Sequence, residues 1–81
     1  MSPTGSELIG IVVGLAAEAR LAAGLGCVVE IGGGTPAGAE AAVARLIARG
    51  VTGVVSFGLA GGLDPTLRPG MLVVPEAVVV A

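Results

Sequence analysis

The apolar residues of this chain fall in blocks whose period changes along it. Leu8-Ile9-Gly10-Ile11-Val12-Val13-Gly14 is continuous, β-branched and without alternation, the pattern of a strand covered on both faces. Residues 15–23 are rich in helix formers, and Gly24 follows as a stop. Cys27-Val28-Val29-Glu30-Ile31 predicts a second strand, which runs into Gly32-Gly33-Gly34. Thr35-Pro36 marks a helix start, because Thr suits the N-cap and the fixed φ of Pro suits the first helical position. Val43, Leu46 and Ile47 stand at i, i+3 and i+4 and predict one apolar face. Arg45 and Arg49 lie toward the end, where cations suit the helix dipole, and Gly50 closes the helix.

Residues 51–57 predict a third strand and residues 58–63 a glycine-rich loop. Asp64-Pro65-Thr66-Leu67-Arg68-Pro69-Gly70 is turn chemistry. Met71-Leu72-Val73-Val74-Pro75 predicts a fourth strand, and residues 76–81 begin another apolar run. The order is β-α-β-α-β-loop-β-β, with at least two right-handed parallel crossovers expected. Neither an internal repeat nor a linker divides residues 1–81, which read as one domain.

Composition narrows the function classes. Of the 81 residues 54% are hydrophobic and 12% charged, too apolar for a disordered segment. Lys+Arg total 4 against Asp+Glu 6, a net charge of −2, which argues against a nucleic-acid partner. There is no histidine, so Ser/His and Cys/His catalysis, most zinc sites and the usual near-neutral base are excluded, and no metal is expected. The single cysteine, Cys27, cannot form an internal disulfide. The longest uncharged stretch, residues 50–63, contains five glycines and is shorter than the roughly 20 residues of a membrane helix. The first seven residues lack the basic region of a secretory signal. A soluble, cytoplasmic protein is expected. So short and apolar a chain, with 15 glycines, reads as a partial domain from the interior of a larger α/β protein.

Several positions could carry chemistry. Gly32-Gly33-Gly34-Thr35-Pro36-Ala37 satisfies G-x-G-x-x-A between a strand and a helix. A dinucleotide site also wants an acidic residue about 20 positions on, and none lies between Glu40 and Asp64. A tight turn, or an anion site on the helix amides, are the other readings. Glu18 lies just past the carboxyl end of the first strand, where open α/β sheets place ligands; the plain alternative is a solvated residue at a helix start. Asp64 before Pro65 is a turn former. Arg68 is an anion ligand or an exposed loop residue, and Cys27 a small buried apolar group.

The stretch Ser56-Phe57-Gly58-Leu59-Ala60-Gly61-Gly62-Leu63-Asp64-Pro65-Thr66-Leu67-Arg68-Pro69-Gly70-Met71-Leu72-Val73-Val74 resembles the signature of the nucleoside phosphorylase/nucleosidase superfamily, G-S-A-G-G-L-x-P-x-L-x-x-G-D-I-V-V. Residues 9–18 resemble the family's first strand and following loop, and the nearest branch is the hopanoid-biosynthesis-associated phosphorylases. The resemblance covers essentially the whole chain and about the first third to half of a family member. It implies an incomplete phosphorylase/nucleosidase-like (Rossmann-like) mixed sheet with flanking helices, in a protein that forms homo-oligomers at full length.

The activity so implied is cleavage of the N-glycosidic bond of a purine nucleoside, with phosphate as the candidate co-substrate and no other cofactor. Carried over by position, Glu18 falls on the glutamate that orients or activates the attacking water. Gly14 falls on the turn that approaches phosphate, Gly33 and Gly34 near the loop after the second strand, and Leu59, Ala60 and Gly61 in the loop against purine or ribose. Two positions depart from the pattern: Leu59 replaces a serine that binds phosphate or water, and Met71 an aspartate. The family's acidic aspartate, which protonates the base, belongs to its second half, so the resemblance implies a chain inactive alone. The rival expectation is a non-enzymatic Rossmann-type module that binds a nucleotide or phosphate.

Overall fold

The computed structural model describes residues 8–79. Residues 1–7, on which the reading of the N-terminus rests, and 80–81, the end of the last apolar run, lie outside the described residues. The elements are β1 (Ile9–Val13), α1 (Ala16–Ala22) with a short 3-10 turn (Ala23–Leu25), β2 (Val28–Ile31), α2 (Pro36–Ala48) and β3 (Gly53–Ser56). They form a three-stranded sheet in the order β2-β1-β3.

Both pairings are parallel, with Ile11 opposite Val29 on one side and Val55 on the other. The ladder extends one step beyond the strands. Gly32 N donates to Val13 O at 2.8 Å and Phe57 N to Val12 O at 2.9 Å, so the chain leaves the sheet at the same level after each strand. An antiparallel member, which would make the sheet mixed, is not among the described residues.

β1 is covered on both faces, as its unbroken apolar run requires. Ile11 and Val13 pack with Ala22 and, partly, Ala19, Cys27, Val29 and Phe57. Val12 points the other way, onto Ala42 and Leu46 of α2, with Val28, Val43 and Val51 around them. The period of two in the strand therefore distributes one hydrophobic run between two helices. Gly10 lies beneath Leu46: a Cβ there would stand 2.9 Å from Leu46 Cδ1.

The buried seam of α2 is Ala42 and Leu46 with Val43 beside them. Ile47, expected on that face, is 64% exposed. One step of 100° past Leu46 turns it off a seam made narrow by alanine. Arg45 and Arg49 do more than complement a dipole: they pair with Glu30 of β2, at 2.5 Å and 3.1 Å. Arg45 also donates to Ile31 O at 3.3 Å. These bonds hold the last turns of α2 across the edge strand.

Met71–Pro75 does not form the expected fourth strand. Extended backbone becomes a strand only when a neighbour takes its N–H and C=O groups, and this segment meets none among the described residues. Leu72 and Val74 are 80% and 78% exposed. Among the described residues, the outer edge of β3 is likewise unpaired. No helix among them is long and apolar enough to cross a membrane.

Candidate functional site

The connections leave β1 toward β2 on one side and return past β1 to β3 on the other, with α1 and α2 on opposite faces. That reversal opens a crevice at the carboxyl ends of the strands, the place where doubly wound sheets hold ligands. Here a cleft of about 360 Å³ lies between Gly14, Gly34, Thr35 and Ser56, with Gly32 and Ala39 behind them. A second, larger hollow is lined by residues 55–64 and 67–75 and includes Leu59, Ala60 and Gly61. Gly33 borders neither.

Glu18 stands between the two loops. The residue is 7% exposed, not solvated as a glutamate in a first helical turn ordinarily is. Oε1 accepts from Gly14 N at 3.1 Å and Leu15 N at 3.0 Å, and Oε2 accepts from Leu59 N at 2.8 Å. The bond to the Leu15 amide is half of a capping box; Leu15 has no polar side chain to complete the other half. The Leu59 amide, with those of Leu15 and Gly14 behind it, holds the carboxyl below its ordinary pKa against the opposing effect of desolvation. The group is screened by two thin loops rather than sunk in the interior.

Gly58 makes this approach feasible. A Cβ at that position would lie 3.0 Å from Glu18 Oε2. The leucine at 59 takes part through its backbone, and its side chain is exposed. The hydroxyl that the family signature implies at this point is therefore absent, and the nearest side-chain hydroxyls of the cleft are those of Ser56 and Thr35.

The glycine turn after β2 is shaped by sterics as much as by any ligand. Gly33 and Gly34 have φ of 77° and 80°, a region that side-chain-bearing residues rarely occupy. Thr35 Oγ1 accepts from Gly38 N at 3.0 Å, and Ala39 N donates to Thr35 O at 2.9 Å. Pro36 has no N–H, so Ala37 offers the one free amide of that first turn. A dinucleotide pyrophosphate wants several such donors; the turn supplies few, which counts against the Rossmann-type reading.

The other candidates have structural roles. Asp64 Oδ1 accepts from Thr66 N at 2.8 Å and Thr66 Oγ1 at 2.7 Å, the turn its position before Pro65 predicts. The Thr66 hydroxyl and amide hold its carboxyl below the usual range. Cys27 is half-buried against the Ile11 cluster. Arg68 is exposed and, among the described residues, makes no ion pair. No three His, Cys, Asp or Glu side chains are grouped to hold a metal among the described residues.

Of the seven positions the family resemblance singles out, the fold gathers Gly14, Glu18, Gly34, Leu59, Ala60 and Gly61 around the same end of the sheet, while Gly33 borders neither hollow. Ser56 and Gly58 lie in the same signature stretch, but sequence reasoning assigns neither a role of its own. Their signal was positional: one ends β3 and the other begins the glycine loop, at the level where β1 ends in Gly14.

A parallel doubly wound sheet with glycine loops over its carboxyl ends defines the class. A family model described as the phosphorylase superfamily matches residues 12–80, which is most of the chain. The chain therefore belongs to the phosphorylase superfamily, as the signature in residues 56–74 implied. No curated protein and no solved structure gives a significant match.

Proposed function

We propose that the chain carries the sugar and nucleophile side of an enzyme that cleaves the N-glycosidic bond of a purine nucleoside. Membership of the phosphorylase superfamily is the observation that carries this reading. In such a cleavage the base departs as positive charge grows on the sugar, and water or phosphate attacks the opposite side. Glu18 is suited to orient a donor such as water. Oε1 already accepts two bonds and Oε2 one, and a carboxylate has about four acceptor positions. Gly14, Gly34 and the Thr35 and Ser56 hydroxyls would meet the sugar or a phosphate, while Ala60 and Gly61 would lie under the base. In this proposal the enzyme belongs to the hopanoid-associated branch and works in the cytoplasm, and its full-length form is a homo-oligomer, as the family resemblance implies.

The 81-residue chain alone would not turn over. The departing base needs a proton donor. Of the two carboxyl groups nearest the site, Glu18 and Asp64 are both held in the ionised form. The test is a titration of the chain with inosine and with inorganic phosphate, followed by backbone amide shifts, beside an assay of purine release with and without phosphate. Millimolar ligand is expected to shift Gly14, Gly34, Thr35 and Ser56, with no purine released. Unmoved amides would overturn the binding assignment, and steady purine release would overturn the inactivity.

A further inference from the structure

We infer that Glu18 is a positioning residue that sets the 58–63 loop against the sheet through the Leu59 amide, with the bare Cα of Gly58 supplying the clearance. The inference deepens the proposed function, since that loop would lie under the substrate, but its geometry stands without it. Three observations converge. The carboxylate is screened from solvent, yet the only ion pairs among the described residues are those of Glu30, so backbone dipoles balance its charge. Its donors come from two loops: Gly14 and Leu15 lie three or four residues away, and Leu59 lies 41 residues away. Position 59 contributes a backbone donor and an exposed side chain, so the loop is held by a group that every residue but proline possesses.

The two oxygens have different tasks. Oε1 is filled by the α1 start, which anchors the side chain. Oε2 faces the loop, and a Cβ at Gly58 would stand 3.0 Å from it, close enough to push the carboxylate aside. A neutral amide in place of the carboxylate cannot serve both sets of donors, because its NH2 group donates. The favourable orientation keeps the Gly14 and Leu15 bonds on the carbonyl oxygen and turns the NH2 toward Leu59 N–H. Donor would then face donor, and the loop would come away while α1 stayed in place. Few charges complicate this: β1, β3 and the 58–63 loop have no ionisable side chain, and Arg20 is the nearest on α1.

The experiment reads amide hydrogen exchange and amide shifts on the 81-residue chain, so it fails or succeeds independently of any catalytic assay. Glu18→Gln is expected to speed exchange at Leu59 at least tenfold, leaving Ile11 and Val13 in β1 as protected as before. Leu59→Ala is expected to keep the protection, and Leu59→Pro to release the neighbouring loop amides. In the unaltered chain the Gly14, Leu15 and Leu59 amide shifts should titrate together with the Glu18 carboxyl. Equal Leu59 protection in Glu18→Gln, or a Leu59→Ala loss as large as that of Glu18→Gln, overturns the inference. If Glu18→Gln also exposes β1, Gly58→Ala decides. Loss confined to the loop supports the inference, and an unchanged Leu59 amide overturns it.

Discussion

At the scale of single residues, the amides around Glu18 make its ionisation part of the fold. Its pKa is lowered in the folded chain, so the stabilisation from these bonds is present above the ordinary carboxylate pKa. It is lost as pH falls through the depressed folded value. Thermal unfolding followed from neutral to strongly acidic pH should therefore show an acid limb that Glu18→Gln flattens. Above about pH 6 the two proteins should run parallel, offset by the bond that Gln cannot make.

Gly38 gives a prediction of opposite sign to intuition. A helical Gly→Ala change ordinarily gains up to about 1 kcal/mol of helix propensity. Here a Cβ would overlap the Gly32 carbonyl oxygen, which belongs to backbone and cannot swing away. Overpacking of this kind costs about 1–3 kcal/mol, so Gly38→Ala should lower the urea midpoint. The same change at exposed Gly24, where a Cβ would meet nothing, should not.

At the scale of elements, Leu46 joins α2 to the sheet. It is wholly buried and stands over Gly10, so Leu46→Ala should cost about 2–4 kcal/mol by chemical denaturation. Gly10→Ala should also destabilise, since its Cβ presses on Leu46. The two changes share one space, so the double variant should lose clearly less than the sum. The Glu30 pairs matter less. Both arginines are about half exposed, and such pairs are worth about 0.2–1 kcal/mol each. Arg45→Ala should cost more than Arg49→Ala, because Arg45 also reaches the Ile31 carbonyl, and added salt should shrink both effects.

The elements legible in the sequence were those whose signal is local. An unbroken β-branched run announced β1, Thr35-Pro36 announced the start of α2, and Asp64-Pro65 announced a turn. The elements misread depend on distant partners. Met71–Pro75 has the composition of a strand but no ladder, and Ile47 has the spacing of a core residue but lies off a seam that alanines keep narrow. The site divides in the same way. The glycines and Glu18 could be picked out by type and position, whereas the Leu59 bond joins residues 41 apart through a backbone group that side-chain identity does not encode.

At the scale of the whole molecule, the packed core ends at Phe57, one residue past β3, and the Leu59 amide ties the following loop back to Glu18. Beyond it, Leu72, Val73, Val74, Val78 and Val79 are all exposed. A charge placed there should change stability by less than about 0.5 kcal/mol. Val73→Lys should therefore leave the urea midpoint in place while raising the concentration at which the chain begins to associate, measured by light scattering. A charge at Val12 or Leu46, each inside a core cluster, should abolish cooperative unfolding.

The strand order β2-β1-β3 also has a consequence in time. The central strand is the first to be synthesised, and its two flanking strands follow from opposite sides. Translation at about 5–20 residues per second separates the end of β1 from the start of β3, 40 positions later (53 − 13), by about 2–8 s. For that interval the β3 edge of β1, the most hydrophobic strand of the sheet, stays open, and the face that α2 covers is bare until residue 48 has been made. A nascent chain of this design depends, for those seconds, on whatever shields apolar backbone at the ribosome.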